Sequence, residues 1–423
     1  MLKTKLLSAL VFLGLSLGCN RPEPFVGDDA KSTAERLTTQ APASDVQKAV
    51  RGLNEFTLSL HRRTASPTDN VITAPASITT ALSMASAGAA GSTLDAFRST
   101  LYVTLAQNDF HAAMNTLDRA LTTRGQGQHG TNGRPFTLSI VNQTFAQNGF
   151  HLETSYLDLL AQQYGTGLKL LDFKSQPEPA RLAINDFVSF HTAELIPHLL
   201  GEGTITRDTR VVLANAVYFN ASWESPFEKN LTSPGPFTKL DGSTTQVPML
   251  RDSVHSARAG SLGGVEVVEL PYQGGEVSML LLVPQAGGLA ALENALDVTQ
   301  LDAFLGALSP RQLDFSMPKF AIDLETTLGE PLSAQGLAVA FGPEADFSAM
   351  TGDRSLSISD VVHHAVIKVT EEGTEAAGAT AVIIGITSVP QTHPLHVDRP
   401  FVYFIRDNAT GALLFMGHVV DPR

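Results

Sequence analysis

Helical and strand-like patterns are unevenly distributed along the chain, and this distribution restricts the folds it can adopt. Apolar residues recur at helical spacing mainly in the earlier part, at residues 46–61, 77–86, 93–107, 156–164 and 180–200. Runs typical of strands dominate the later part, at residues 136–146, 210–219, 265–270, 277–283, 312–317, 363–370 and 400–420. Because helices and strands do not alternate regularly, the pattern favours an α+β fold over a doubly wound parallel sheet.

The N-terminus has the pattern of an export signal. Lys3 and Lys5 precede the apolar run at residues 6–17, which is too short to span about 30 Å of hydrocarbon as a helix. With Cys19 just after the run, the segment resembles a bacterial lipoprotein signal, whose cysteine is acylated and becomes the first mature residue. The residues just before Cys19 depart from the preferred pattern, so an ordinary secretory signal stays the alternative.

This pattern predicts three regions along the chain. We expect a signal peptide at residues 1–18, an acylated N-terminus with a flexible tether at residues 19–44, and one folded domain at residues 45–423. Residues 20–44 mix Pro, Ser, Thr and charged residues without periodicity, as linkers do. Either signal implies export, to the cell envelope as a lipoprotein of the outer membrane or cell surface, or to the medium.

Composition and motifs argue against nucleic-acid binding and against catalysis. The formal net charge is −13, which disfavours binding to a phosphate backbone. The single cysteine excludes a disulfide framework and a cysteine-based zinc site. The Gly-x-Ser-x-Gly string at residues 14–18 lies in the signal rather than in a strand–turn–helix, and no phosphate-binding glycine motif occurs. We therefore expect neither enzymatic activity nor a cofactor.

Two pairs of histidines deserve consideration as metal ligands. Adjacent His363 and His364 point to opposite faces of a strand. Pro394 prevents a regular helical arrangement of His393 and His396. We interpret these histidines as structural or solvent-exposed and predict no metal site.

Residues 371–390 form the most unusual segment, which begins acidic and small, becomes β-branched and ends in a turn signal. With a period of two, one face is uncharged, at Thr374, Ala376, Gly378, Thr380, Val382 and Ile384. A strand with this face is compatible with insertion between other strands above a packed core. The Ala- and Gly-rich centre has poor β-propensity, so an ordinary half-buried strand or an Ala-rich helix stays possible from the pattern alone.

This segment resembles the hinge and reactive-centre loop of the serpins, a family of serine protease inhibitors. NAVYFNASW at residues 215–223 is similar to the family's third-strand signature. Further motifs follow in family order: Glu228, DG at 241–242, VPM at 247–249, ELPY at 269–272, MPKF at 317–320, EADFS at 344–348, DRPF at 398–401, IRDN at 405–408 and LFMG at 414–417. The resemblance covers about residues 45–423. It implies one domain with three β-sheets, about nine helices and an exposed reactive-centre loop.

The resemblance also implies positions within the loop. Family spacing places the hinge at Glu371, Gly373, Thr374, Ala376, Ala377, Gly378 and Ala379. The same spacing places the reactive bond between Thr387 and Ser388, and a shift to Ile386 or Ser388 stays open because the C-terminal flank varies in length.

Five residues match family positions that control opening of the large sheet: Ser77, Asn215, His363, Trp223 and Lys319. Lys319 corresponds to the lysine that pairs with Glu371, and Trp223 to the aromatic residue beneath that point. The other three correspond to the polar cluster where the central strands separate. Ala74 departs from the family, which usually has a serine there, and the missing hydroxyl would weaken a hydrogen bond by about 1 kcal/mol.

The hinge discriminates between inhibitory serpins and non-inhibitory carrier or storage members. A buried unpaired charge would cost several kcal/mol and stop insertion. The inward hinge positions are small and uncharged, and no proline occurs from residue 371 to residue 389. We therefore expect a suicide-substrate inhibitor, whose loop is attacked to form an acyl-enzyme and then inserts into the sheet; a binding, carrier or storage protein is the alternative.

The residue before the predicted reactive bond, Thr387, indicates which class of protease the chain would inhibit. Thr387 is small and follows apolar residues, which suits an elastase-like or subtilisin-like serine protease better than a trypsin-like one. Cysteine proteases also form acyl-enzymes and stay alternative targets. Only Arg119 and Arg124 are basic within residues 101–124, so we expect no glycosaminoglycan cofactor. We expect a monomer without nucleic-acid partners that meets a membrane only through its N-terminal lipid.

Overall fold

The computed structural model describes residue 24 and residues 26–126, 136–192, 194–374 and 392–423. Helices lie mainly in the earlier part of the chain and strands in the later part, so the predicted α+β class is confirmed. No helix within these ranges is both long and apolar enough to span a bilayer.

The helices share an apolar face that packs against a sheet or another helix. They are α1 (Ala43–Thr64), α2 (Pro75–Ala87), α3 (Gly91–Thr100), α4 (Gln107–Leu121), α5 (Thr154–Leu159), α6 (Pro177–His191), α7 (Leu289–Ala295), α8 (Val298–Gly306), α9 (Gly329–Leu332), α10 (Ala338–Phe341) and α11 (Ser348–Thr351). Helix α5 continues into a π-helical turn, Leu160–Tyr164, and a second one, Ser333–Leu337, joins α9 to α10. If α9, the second π-helical turn and α10 are counted as one continuous helix, the described residues contain ten helices, close to the nine implied by the resemblance.

Seven strands form the large sheet: β1 (Asp28–Ala30), β3 (Thr137–Gln147), β4 (Leu168–Leu171), β5 (Val211–Ser222), β11 (Phe320–Thr327), β12 (Asp360–Val369) and β13 (Gly373–Thr374). Their order is β1-β4-β3-β5-β13-β12-β11. Strand β5 is buried along almost its whole length, as a central strand covered on both faces should be. Strand β5 and its neighbours β3, β13 and β12 therefore form the interior of the sheet.

Nine strands form a second sheet: β2 (Val71–Thr73), β6 (Ser233–Thr238), β7 (Thr244–Leu262), β8 (Val265–Pro271), β9 (Val277–Val283), β10 (Ser309–Pro318), β14 (His393–His396), β15 (Phe401–Asp407) and β16 (Leu413–Val419). Strand β7 has 19 residues and pairs first with β6, then with β10 and finally with β8. The resemblance implied three sheets. Two of them are continuous here because β7 runs through both without a break.

Helix α2 connects the two sheets through the core. It contacts β3 and β5 on one side and β16 on the other. All of its 13 residues except Thr80 are buried, and most are Ala, Ser or Thr, whose small side chains permit close packing. Pro75 occupies its first turn, where the missing N–H costs no helical hydrogen bond. This packing brings the start of α2 against the central strands.

The prediction of a flexible tether at residues 19–44 is wrong for the part that the structure describes. Strand β1 pairs antiparallel with β4. Arg36 Nη2 lies 2.6 Å from Asp118 Oδ2, and the N–H of Leu37 donates to the carbonyl of Gln162 at 2.9 Å. A composition rich in Ser, Thr and Pro does not prevent an extended segment from pairing with an open strand edge. Residues 19–23 and residue 25 lie outside the described residues.

The helix predicted at residues 180–200 ends at His191. The Asn185 side chain explains the change of direction, because its Oδ1 accepts from the N–H groups of Leu199 and Leu200 at 3.0 and 2.8 Å. Its Nδ2 also donates to the carbonyl of Leu200 at 3.0 Å. The buried amide therefore holds the following loop back against the helix.

Candidate functional site

The central strands β5 and β12 are paired along one part of their length and separated along another. They pair in parallel from Val212 and Asp360 to Tyr218 and Val366. Beyond this stretch, β13 lies between them and pairs antiparallel with both. We call the paired stretch the closed half and the stretch occupied by β13 the parted end.

Glycine is required where the chain enters the parted end. Gly373 lies opposite Ser222, and Thr374 opposite Ala221. The φ of Gly373 is 152°, and an added Cβ would lie 2.1 Å from the carbonyl oxygen of Ala221. Any side chain here would therefore push β13 away from β5.

Thr374 is buried on an aromatic floor. Its side chain is fully buried, and its Oγ1 lies 2.7 Å from the hydroxyl of Tyr272. Tyr272 stacks on Trp223 with ring centroids 4.5 Å apart, and the Trp223 Nε1–H donates to the carbonyl of Thr370 at 3.0 Å. Burial raises the pKa of Tyr272 far above its usual value, so its hydroxyl keeps its proton. The floor offers a small polar residue one hydrogen bond, but neither Tyr272 nor Trp223 provides an opposite charge for a buried ion.

Two ion pairs hold the residues that precede β13. Lys319 Nζ lies 2.8 Å from Glu371 Oε2, Thr232 Oγ1 donates to Glu371 Oε1 at 2.9 Å, and Lys229 contacts Glu372. Burial would raise the pKa of Glu371, but hydrogen bonds from Lys319, a backbone N–H and Thr232 hold it below its usual value. The carboxylate is therefore ionised at neutral pH, and the rim of the parted end is a set of charge-assisted contacts.

A neutral polar cluster lies beneath the closed half. Asn142, Asn215 and His363 are direct neighbours across β3, β5 and β12. Asn215 Nδ2 donates to Asn142 Oδ1 at 2.5 Å and contacts Ser77 Oγ, which donates to Asn142 Oδ1 at 3.0 Å. These hydrogen bonds connect three strands of the sheet to the start of α2.

The backbone fixes the tautomer of His363. The N–H of Ala74 donates to His363 Nε2 at 3.0 Å, so this nitrogen carries no proton. His363 Nδ1 carries it and donates to Asn215 Oδ1 at 2.5 Å. Burial lowers the pKa of His363 to about 3, and the ring is neutral at physiological pH. Both ring nitrogens of His363 therefore have hydrogen-bond partners while the ring stays neutral.

Comparison with known proteins gives the family. The family model for the serpins (serine protease inhibitors) matches residues 51–422. The chain belongs to the serpin family. Iripin-8 of Ixodes ricinus is 32% identical over 387 residues, which cover 89% of this chain and 94% of the relative. Leukocyte elastase inhibitor A of Rattus norvegicus is 32% identical over 371 residues, with 85% and 94% covered.

Solved serpin structures share the fold. The native state of the thermophilic serpin tengpin superposes with a TM-score of 0.82 at 24% identity and covers 92% of this chain and 97% of its own. Thyroxine-binding globulin in complex with thyroxine gives 0.79 at 26% identity, with 89% and 99% covered. The family thus contains proteins named for inhibition and proteins named for binding.

In this serpin the predicted site residues fall into two groups. Glu371, Gly373, Thr374, Trp223 and Lys319 surround the parted end, and Ser77, Asn215 and His363 form the cluster under the closed half. The remaining predicted residues lie outside the described residues: Cys19, Ala376, Ala377, Gly378, Ala379, Thr387 and Ser388. Their roles stay predictions.

Sequence reasoning missed several contributors to the site of this serpin. Tyr272 ends the ELPY motif but was given no role, although it supports both Thr374 and Trp223. Asn142 completes the cluster through cross-strand alignment, which no spacing in the sequence encodes. Lys229 and Thr232 reach the acidic pair at residues 371–372 from the turn before β6.

Proposed function

We propose that this serpin is a suicide-substrate inhibitor of serine proteases with elastase-like or subtilisin-like specificity. The observation that carries the proposal is the position of β13 between the central strands, where Gly373 and Thr374 pair with β5 and Thr374 also pairs with β12. Two residues of the loop thus already occupy the position of an additional central strand. Insertion of the remaining hinge would lengthen this pairing towards the closed half.

The chemistry of the hinge supports continued insertion. Thr374 is buried without charge, and its hydroxyl has a partner in Tyr272. The following inward residues in the sequence are also small and uncharged, and the first proline comes at Pro390. Insertion therefore buries no charge on the inward face, Glu375 lies on the opposite face, and each residue except proline can join a ladder.

In the proposed reaction, the groups of the protease carry out every chemical step up to cleavage of the reactive bond. The protease's nucleophile attacks the carbonyl carbon of Thr387, the peptide bond breaks, and Ser388 leaves with a new amino group while Thr387 stays esterified. The freed segment then inserts and carries the protease with it. A displacement of about 1 Å at catalytic groups can cost about 100-fold in rate, so deacylation stalls.

The relatives support this choice of target. Thr387 offers a small side chain to the primary pocket, and one relative is named a leukocyte elastase inhibitor. A carrier function is the second candidate because thyroxine-binding globulin shares the fold. A cysteine protease stays an alternative target, since it too forms an acyl-enzyme.

The test compares thermal unfolding before and after a protease nicks the loop, together with electrophoresis of mixtures with elastase, subtilisin and trypsin. We expect a large rise in melting temperature on nicking and denaturant-stable complexes with elastase or subtilisin. Trypsin should form little or no complex. An unchanged melting temperature would favour the carrier function, and stoichiometric trapping of trypsin at Thr387 would overturn the specificity.

We further propose export with acylation at Cys19. Since residues from Val26 onward pack on the domain, only residues 20–25 would separate the lipid from it. Six extended residues span about 20 Å, so the domain would lie close to the membrane. Labelling with a radioactive fatty acid should modify the wild type but not Cys19→Ala, and equal labelling of both would contradict the proposal.

A further inference from the structure

A buried group of two histidines and one glutamate lies outside the site described above. His61 on α1 and His418 on β16 are both about 1% exposed, and Glu293 on α7 is 12% exposed. His61 Nε2 lies 2.8 Å and His418 Nδ1 lies 2.6 Å from the same oxygen, Glu293 Oε1. The three potential ligand atoms lie within 4.8 Å of one another.

The hydrogen bonds of His418 require a positive species beside Glu293. His418 Nε2 lies 2.9 Å from the carbonyl oxygen of Asp69, which can only accept, so this nitrogen carries a proton. In a neutral imidazole the other nitrogen, Nδ1, then presents a lone pair to a carboxylate oxygen. Such an approach is repulsive unless an additional proton or a metal cation lies between the two atoms.

The charge around Glu293 is otherwise uncompensated. Among the described ion pairs, Glu293 has two histidine partners and neither a lysine nor an arginine. The nearby Arg62 instead donates to the carbonyl of Leu296 at 2.7 Å. Glu293, a largely buried carboxylate, therefore has only imidazole groups as ion-pair partners among the described residues.

We propose that His61, Glu293 and His418 bind a divalent cation of the zinc class. Two imidazole nitrogens and one carboxylate oxygen are the donor set that zinc accepts in sites with an open fourth position. The carbonyl of Asp69 orients His418, as carbonyl groups behind metal-bound histidines commonly do. His61 Nδ1 has no hydrogen-bond partner among the described residues, so this ring can move its proton there and offer Nε2 to the cation.

The geometry needs only small adjustments. Zinc bonds of about 2.0–2.1 Å place neighbouring tetrahedral ligand atoms about 3.3 Å apart. The observed separations from Glu293 Oε1 are 2.6 and 2.8 Å, and the two nitrogens lie within 4.8 Å of each other, so binding requires shifts on the order of 1 Å in the ligand atoms. The exposed edge of Glu293 provides access and a position for a bound water.

The cation would connect three remote parts of the chain. It joins the N-terminal helix α1, the short helix α7 and the C-terminal strand β16. A ligand that binds only the folded state stabilises it by mass action. Zinc should therefore raise the melting temperature of the whole domain.

The test uses the full protein stripped with EDTA, dialysed and titrated with ZnCl2. We expect one zinc per chain by calorimetry and a melting temperature that rises with zinc concentration. Glu293→Gln keeps the shape of the side chain but removes its charge, and should weaken binding at least tenfold. His364→Gln is the matched control, because His364 Nε2 also lies 2.6 Å from a carboxylate, Asp323 Oδ1, but the described residues supply no third ligand there.

Cobalt provides a readout that does not depend on a variant folding. Co²⁺ added to the stripped wild type should produce the visible absorption of a tetrahedral site, and zinc should abolish it. Unchanged zinc binding in folded Glu293→Gln would overturn the proposal. So would a wild type that shows no zinc response and no cobalt absorption, in which case a shared proton is the positive species.

Discussion

The closed half and the parted end belong to the same two strands but are held by opposite kinds of chemistry. Beneath the closed half, buried Asn215 and His363 and half-buried Asn142 form a network of neutral hydrogen bonds. Around the parted end, Glu371 and Glu372 make ion pairs with lysines that reach the surface. Both ring nitrogens of His363 are paired inside the network, whereas the lysines of the rim can exchange their contacts for water.

This difference suggests where strand insertion begins and what opposes it. Each rim pair joins a partly exposed lysine to a buried carboxylate, so water and salt screen the pair from the lysine side only. In the cluster, a buried donor or acceptor that loses its partner costs about 1–3 kcal/mol. A strand entering from the parted end therefore meets the partly screened contacts first and the cluster afterwards.

The largest effect is expected from a charge at the first buried hinge position. Thr374→Arg places a guanidinium over the rings of Tyr272 and Trp223, where Thr374 is fully buried. We expect nearly complete loss of denaturant-stable protease complexes, with the loop cleaved as an ordinary substrate. Complex yield by electrophoresis measures this, and nicked Thr374→Arg should show no rise in melting temperature.

The control for this variant is Thr374→Ala, which removes only the 2.7 Å hydrogen bond to Tyr272. It should keep most of the complex yield. Full complex formation by Thr374→Arg would mean that β13 is not the start of the inserting strand.

A smaller but still large effect is expected in the closed half. Asn215→Ala leaves the Nδ1–H of His363 without its acceptor and removes the donor shared by Asn142 and Ser77. We expect the free energy of unfolding to fall by about 3 kcal/mol, measured by urea denaturation. Asn220→Ala, on the same strand but outside the cluster, should cost less, and equal losses would deny the cluster a special role.

The neutral state of His363 predicts a dependence on pH. Its pKa is about 3 in the folded protein, against about 6.5 in an unfolded chain. The unfolded state therefore binds the extra proton between these values, so stability is complete above pH 6.5 and falls as the pH drops towards 3. The slope is about 1.4 kcal/mol per pH unit, or about 2 kcal/mol between pH 6.5 and 5.

His363→Gln isolates this contribution. Burial also lowers the pKa of His111, to about 4, so the wild type loses stability through both rings. Urea unfolding at several pH values should show that the free energy of unfolding of the variant falls less steeply with decreasing pH. The difference should equal the contribution of one titrating group, about 1.4 kcal/mol per pH unit. Identical slopes would contradict the neutral state assigned to His363 in the folded protein.

The smallest effect is expected at the rim. Lys319→Met keeps most of the side chain's volume but removes the ammonium group that pairs with Glu371. Lys319 is 35% exposed, but its partner Glu371 is only 7% exposed and would keep the hydrogen bond from Thr232. We therefore expect a loss of about 1–2 kcal/mol and a weaker dependence of the melting temperature on salt. Lys319→Arg should behave as the wild type, and a loss as large as that of Asn215→Ala would remove the contrast between the two regions.

The sequence predicts the secondary structure better than its assembly. Periodicity identifies α1, α2, β5 and β9 because each has a regular apolar face or run. Ser77, Asn215 and His363 are too far apart in sequence for any spacing rule, and only the resemblance to a family brought them together. Composition misread residues 26–41 because pairing with the edge of β4 is a tertiary interaction.

The limits of prediction in the site have the same cause. Tyr272 and Asn142 act through partners on other strands, and their own neighbours in the sequence give no indication of them. The end of α6 likewise depends on a buried side-chain amide, that of Asn185, rather than on local helix propensity. Propensity and periodicity describe neighbours in sequence, and these features depend on neighbours in space.

The outer strands of the large sheet affect how copies of this protein meet. One outer strand, β1, has only three residues and exposes Asp28 and Asp29, and the other, β11, exposes Asp323 and Glu325. Short, charged outer strands discourage pairing with another chain. Self-association through this sheet would then use the parted end between β5 and β12. The cluster beneath the closed half opposes further separation of these two strands, so it would slow the linking of molecules in a concentrated solution.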